Sequence, residues 1–263
     1  MTMQSATFNR SQSHDNATID SSGIEQYSIA RSLVLHLLPG VLVVSLYVAT
    51  APLAMQWGFP PTLAMMLGTL LILLAFELGH LLWEGKRRNG KWSLEGIVLN
   101  RESMPIRQYL IWIPVFVIAA YIVYFLTVPL DMVLIGLLSW LPKWFVLTDV
   151  SQLAQYSKSA LTITFWVYLT LNGIVFPIIE ELYFRGYLMP RLSRFGRGAP
   201  VLNHLLFTIY HFWTPYSYGT IFFGVLPLTI AVWWKRNIKI GIITHCALNI
   251  IGTLLTFGQV LGS

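Results

Sequence analysis

Apolar residues run along this chain in blocks, near 33–53, 62–83, 108–129, 160–188, 200–213, 220–234 and 240–257, broken by short polar stretches. Strands rarely exceed about ten residues, whereas a membrane-crossing helix needs ~20 apolar ones. The pattern predicts an all-α, polytopic membrane helix bundle with about seven transmembrane helices, the fifth and sixth short at their edges. The segment 131–145, DMVLIGLLSWLPKWF, has an apolar core too short to span and is closed by Pro142. It is expected to lie at the surface or to re-enter, with Trp140 and Trp144 at the interface; if it spans, there are eight helices. No internal repeat or low-complexity run is visible. Three regions follow: a polar, mobile tail over 1–28, an N-terminal transmembrane region over 29–159, and a helix core over 160–257 that carries the candidate chemistry.

Composition supports a membrane protein. The 263 residues are 56% hydrophobic and 11% charged, against about 45–50% and about 25% in soluble domains. The net charge of +6 comes from short basic loops and not from a face with interleaved aromatics, so nucleic acid is excluded as the expected partner and the lipid bilayer takes its place. Cations cluster at Lys86, Arg87, Arg88 and Lys91, with Arg101 and Arg107 following; at Arg185, Arg191, Arg194 and Arg197; and at Lys235, Arg236 and Lys239. Placing all three clusters in the cytoplasm lets seven spans alternate without conflict, with the N-terminus inside. Compact loops point to a prokaryotic cell membrane. The tail lacks the apolar core of a cleavable signal. Its Asn16-Ala17-Thr18 matches a glycosylation acceptor, a short and common pattern. The single cysteine, Cys246, rules out an internal disulfide and reads as a buried thiol.

Against this background FPIIEELYFRGYLMP, at 176–190, is anomalous. Ionisable side chains cost roughly 2.5–3.5 kcal/mol each at mid-bilayer on insertion scales. Glu181 and Arg185 are spaced i, i+4 as an ion pair, acid first, while Glu180 projects about 100° away and is left without that partner. Pro177 removes a backbone hydrogen bond one turn earlier and predicts a kink that admits water. At 1.5 Å per residue, Glu180 lies roughly 15 Å from the Pro190 end of its helix, and His211 about 16 Å from Pro200. His245 and Asn249 lie about 9 and 15 Å from Lys239. Polar groups of three helices thus reach a similar depth. Taken singly, each has a plainer reading: the Glu–Arg pair as a structural ion pair, and the His or Asn as an interhelical hydrogen-bonding residue. Their convergence favours a site. Gly241 and Gly252 share the face of His245 and Asn249, which suits close helix approach. Glu77 and His80, i, i+3, read as structural or cavity-lining, since no second Glu-x-x-His exists for a di-metal site. His36 reads as a hydrogen-bonded bystander.

Three motifs in order, Glu180-Glu181-x-x-x-Arg185 followed by Gly186, Phe207-x-x-x-His211 and His245-x-x-x-Asn249, resemble the CAAX-processing and bacteriocin-processing membrane protease family, CPBP or Abi. The resemblance covers roughly 160–257. It implies a glutamate-dependent intramembrane endopeptidase in which Glu180 activates water in a cytoplasm-facing cavity. His211 helps to hold the water, His245 and Asn249 stabilise the oxyanion, and Glu181 and Arg185 support the site. No cofactor and no metal are implied. The partner is a polypeptide substrate, membrane-anchored or lipidated in the CAAX-type members.

The residue chemistry agrees. Water needs a general base to become a nucleophile, and an amide or imidazole N–H can serve a developing oxyanion. Two rivals remain open at this point. Two histidines and a glutamate are also a zinc ligand set, although H-E-x-x-H is absent. Some relatives act on partner proteins without cleaving them, so a non-proteolytic binding or immunity module is the alternative. A transporter is disfavoured by the lack of repeated halves.

Overall fold

The computed structural model describes residues 23–147 and 150–261. Among them are seven helices of twelve residues or more. These are α1 (Ile29–Gln56), α2 (Pro61–Asn89), α3 (Ile106–Leu137), α4 (158–188), α5 (Ala199–Tyr210), α6 (Tyr218–Lys235) and α7 (Ile238–Leu261). Their limits follow local chemistry. Ser28 caps α1 by accepting the Arg31 N–H, at 3.2 Å. Pro61 opens α2 at a position where its missing N–H is harmless. Gly90, at φ 71°, closes α2 in the left-handed conformation. Between α6 and α7 the turn is two residues long: Arg236 takes φ 48°, and Asn237 Oδ1 caps α7 by accepting the Ile240 N–H at 3.0 Å.

The fold is the expected all-α polytopic bundle. Six stretches are long and apolar enough to cross a membrane, because α4 and α5 lie in one continuous stretch, Lys158–Tyr210. That stretch turns at Gly196, φ 54° and ψ −126°. With 12 residues, α5 rises only about 18 Å, less than the ~30 Å hydrocarbon layer. The expectation for 131–145 is corrected: residues 131–137 simply continue α3, and a short 3₁₀ turn, Lys143–Phe145, follows. α3 meets α6 and α7 along one face, where Thr127 contacts Thr220 and the Tyr121 hydroxyl donates to the Leu248 carbonyl at 3.1 Å. Ala120 is its one buried residue, and Ile118, Phe125 and Leu126 point outward.

The expected tail also needs correction where it is described. Gln26 and Tyr27 are buried, and Tyr27 N–H donates to the Arg191 carbonyl at 3.0 Å. Glu25 pairs with Arg31 and Arg88. The glycosylation pattern at 16–18 lies outside the described residues.

All three basic segments meet at one end of the bundle. Leu99 N–H donates to the Gly186 carbonyl at 2.8 Å, Glu102 N–H to that of Arg236 at 2.9 Å, and Ile238 N–H to that of Asn100 at 2.6 Å. An aromatic core, including Tyr47, Phe184, Phe207, Tyr210, Trp213 and Tyr216, fills the interior beside α4.

Candidate active site

The site is built on α4, and α4 is not a uniform helix. Two wide π-turns, Leu171–Val175 and Glu181–Leu188, flank the five α-helical residues Phe176–Glu180. π-turns are rare and concentrate at functional sites. The first of them lies just before Pro177, where a kink is expected. The i→i+5 winding loosens the usual ladder, and donors from elsewhere take over its carbonyls. Asn172 O accepts Asn249 Nδ2 at 2.8 Å. Around the second turn, Phe184 O accepts Asn203 Nδ2, Arg185 O accepts Asn100 Nδ2, Gly186 O accepts Leu99 N–H, and Tyr187 O accepts Arg191 Nη1. Gly186 is required by this arrangement: a Cβ there would come 2.5 Å from Val98 Cγ1 and 2.7 Å from Ile238 Cδ1.

The structure brings Glu180, Glu181, Arg185 and His245 into direct contact. Glu181 is fully buried, and its Oε1 lies 3.1 Å from His245 Nδ1 and 3.5 Å from Arg185 Nη1. A carboxylate can only accept, so the imidazole donates its Nδ1–H to Glu181. That leaves His245 Nε2 facing Glu180 Oε2 at 3.9 Å. Glu180 Oε1 receives a long hydrogen bond, 3.4 Å, from the Tyr210 hydroxyl. Glu180 is therefore buried but weakly engaged, whereas Glu181 is tied on two sides. The close approach of α7 depends on Gly241, whose Cβ would sit 2.6 Å from Glu181 Oε2.

Phe207 is the hub that the second motif supplies. Arg185 lies over its ring at 3.8 Å, and His211 meets it edge-on at 4.7 Å. His245 approaches the same ring at 6.2 Å. His211 ends α5 as its C-cap and donates Nδ1–H to the Phe207 carbonyl at 2.8 Å; its Nε2 is then an acceptor. Asn249 stands one turn beyond His245, with one amide N–H given to Asn172 and the other remaining.

Several supporting residues lie outside the three motifs. His204, fully buried, donates Nε2–H to the Phe222 carbonyl at 3.0 Å, accepts from Thr229 at 3.0 Å, and lies 3.4 Å from Arg185 Nη2. Thr229 also meets Arg185, at 3.2 Å. Asn203 donates to His36 Nε2 at 3.0 Å while His36 Nδ1–H donates to Ser32 O, which makes His36 the bonded bystander expected. Glu77 and His80 part company: His80 Nε2 meets the Tyr187 hydroxyl at 3.1 Å, and Glu77 faces Tyr210. Cys246 is not the buried thiol expected but half-exposed, its Sγ 3.9 Å from Ile174 O. Among the described residues no three His, Cys, Asp or Glu side chains converge where a metal ion could sit.

Glu180, Glu181, Arg185 and His245 thus form a buried, charged cluster with Phe207 and His211 packed beside it, and all three motifs lie within one recognised stretch of the chain. Residues 162–251 match the family model of type II CAAX prenyl endopeptidases, Rce1-like. The Rce1-like stretch opens in α4, closes in α7 and contains all seven motif residues, so the resemblance drawn from them is shown. No curated protein and no solved structure matches the chain. The Rce1-like match together with six apolar helices makes this an integral, multi-pass membrane protein and supports a CAAX-type membrane protease in general.

Proposed function

We propose that the protein hydrolyses a peptide bond within the membrane, with Glu180 as the base that activates water. The observation that carries this reading is the inequality of the two glutamates. Glu181 is occupied by Arg185 and His245, while Glu180 has contacts at only 3.4 and 3.9 Å. A base must be free to engage the water it deprotonates, and contacts this long leave Glu180 uncommitted.

The steps follow from the donors and acceptors in place. Glu180 removes a proton from water, and the oxygen attacks the scissile carbonyl carbon. His211 Nε2, an acceptor once Nδ1–H is tied to Phe207 O, holds the second hydrogen of that water. The oxyanion takes N–H bonds from Asn249 and from His245 Nε2. Because Nδ1–H is given to Glu181, the Nε2 donor requires the imidazolium form of His245. Glu180 then passes its proton to the leaving nitrogen as the C–N bond breaks. We assign the end of the bundle where the basic segments meet to the cytoplasm, and with it the route of substrate to Glu180. The substrate class that follows from the family's description is a polypeptide with a lipid-modified or membrane-anchored C-terminus. We assign the protein to a prokaryotic cell membrane, from its compact loops.

The test is cleavage of a quenched reporter peptide by purified protein in detergent. Glu180→Gln should abolish turnover while unfolding at the wild-type temperature, and exhaustive chelation should leave wild-type turnover unchanged. Normal cleavage by Glu180→Gln removes Glu180 as the base. Loss of activity on chelation, restored by zinc, would install a metal mechanism. A biological effect that survives Glu180→Ala in a folded protein would establish the binding-module alternative.

A further inference from the structure

The reaction above leaves one buried acid without a role. Glu77 lies on a π-turn of α2, Leu73–Leu78, outside the Rce1-like stretch. It is fully buried, and neither of its carboxyl oxygens has a hydrogen-bond partner. Among the described ion pairs none includes it. Buried polar groups are nearly always satisfied, and an exception calls for a reason. The titratable groups beside Glu77 are the Glu180 carboxyl and the Tyr210 and Tyr183 hydroxyls, and Tyr183 already donates to the Leu35 carbonyl at 2.9 Å. Tyr210 itself is fully buried and donates to Glu180 Oε1. The backbone is shaped to seat it: Gly40 of α1 lies against the Tyr210 carbonyl so closely that any Cβ would overlap it.

An ionised Glu77 would add an uncompensated negative charge beside Glu180, which an apolar interior does not tolerate. A carboxylic acid avoids that charge and has a hydrogen to give. The phenol oxygen of Tyr210 is the acceptor within its surroundings, because the phenol hydrogen is already directed at Glu180.

We propose that Glu77 is a positioning residue of this site. It is a protonated carboxyl that donates to Tyr210 and so fixes the phenol hydrogen on Glu180 Oε1, leaving Oε2 for water. No proton travels along this chain; it sets direction only. The inference rests on Glu180 as the base, and it makes the N-terminal transmembrane region a contributor to the chemistry.

The experiment measures kcat, KM and thermal unfolding with the reporter peptide for wild type, Glu77→Gln, Glu77→Leu, Tyr210→Phe and the Glu77→Leu/Tyr210→Phe double variant. Glu77→Leu should lower kcat roughly tenfold to a hundredfold at unchanged KM, the range seen when a partner that orients a functional group is removed. Glu77→Gln keeps an N–H donor and should recover most of that loss. Tyr210→Phe should fall by a similar factor, and adding Glu77→Leu to it should cost nothing more. Wild-type kcat in Glu77→Leu, a glutamine variant as slow as the leucine one, or losses that multiply in the double variant would each overturn the proposal. Should Glu77→Leu fail to fold, infrared difference spectra decide: Glu77→Gln must remove a protonated-carboxyl band that Tyr210→Phe shifts. Removal of an ionised-carboxylate band instead ends the proposal. Glu180→Gln serves as the control. If it cleaves, the base assignment fails; if it is dead while every Glu77 variant is normal, the positioning role alone fails.

Discussion

Glu181 and Arg185 set the electrical balance of the site, and their geometry makes a prediction at the level of single side chains. Both are fully buried, and the pair is 3.5 Å apart. Removing one member of a buried pair costs roughly 3–5 kcal/mol, because the other charge is stranded. Glu181→Gln should therefore lower the unfolding temperature in detergent strongly, with activity lost as a consequence. Glu181→Gln/Arg185→Met should recover part of the stability, since no orphan charge remains. A Glu181→Gln protein that is stable but inactive would make Glu181 the base. Much of this site was legible in the sequence, because charge inside an apolar run stands out and i, i+4 spacing gives a shared face. Tyr210, Asn172 and Asn100 were not legible. A tyrosine in an apolar run is unremarked by any spacing rule, and the two asparagines act through backbone carbonyls at π-turns. A period of 3.6 cannot show those turns.

At the level of helices, the two glycines on one face of α7 do not contribute equally to its contact with α4. Gly241 and Gly252 look equivalent in sequence. A Cβ at Gly241 would meet Glu181 Oε2 at 2.6 Å and Val232 Cγ2 at 2.9 Å, whereas one at Gly252 would meet the Tyr121 hydroxyl at an ordinary 3.6 Å. Gly241→Ala should destabilise the protein by about 1–3 kcal/mol, the usual range for overpacking, and should slow cleavage by displacing Glu181 and His245. Gly252→Ala should leave both thermal unfolding and reporter cleavage near wild type. Equal effects at the two positions would contradict the helix contact described. Helix positions were readable from apolar run length, and all seven expected runs are helical. The continuation of α3 through 131–137 was not, because Asp131 interrupts the run while its Oδ2 is satisfied by Thr220 at 2.7 Å. The end of α5 at Tyr210, short of a full crossing, was hidden as well: hydropathy persists through Phe212 and Trp213 although the helix has stopped.

For the whole molecule, the meeting of three basic segments at one end restates the topology as a distance relation. Charge counting required 84–101, 189–199 and 235–239 to share a side; backbone hydrogen bonds join the first to the third directly, and the first to Gly186, just before the second. Which side that is remains a matter of the positive-inside rule, which assigns it to the cytoplasm. In a Cys246→Ala background, cysteines placed at the exposed positions Lys91 and Arg194 should resist an impermeant thiol reagent in intact cells and react after lysis. Labelling of either in intact cells reverses the orientation and the assumed route of substrate to Glu180.

The loop ending at Asn100 has one more consequence. It lends its own donors to the Arg185 and Gly186 carbonyls, and Val98 fills the space that Gly186 leaves. The Rce1-like third is thus not a portable cassette. A chimera that joins residues 162–251 to a foreign N-terminal half would inherit every motif and still lack the groups that hold the motif helix in its wide turns. Parentage of the loop, and not only of the motifs, should decide which hybrids work.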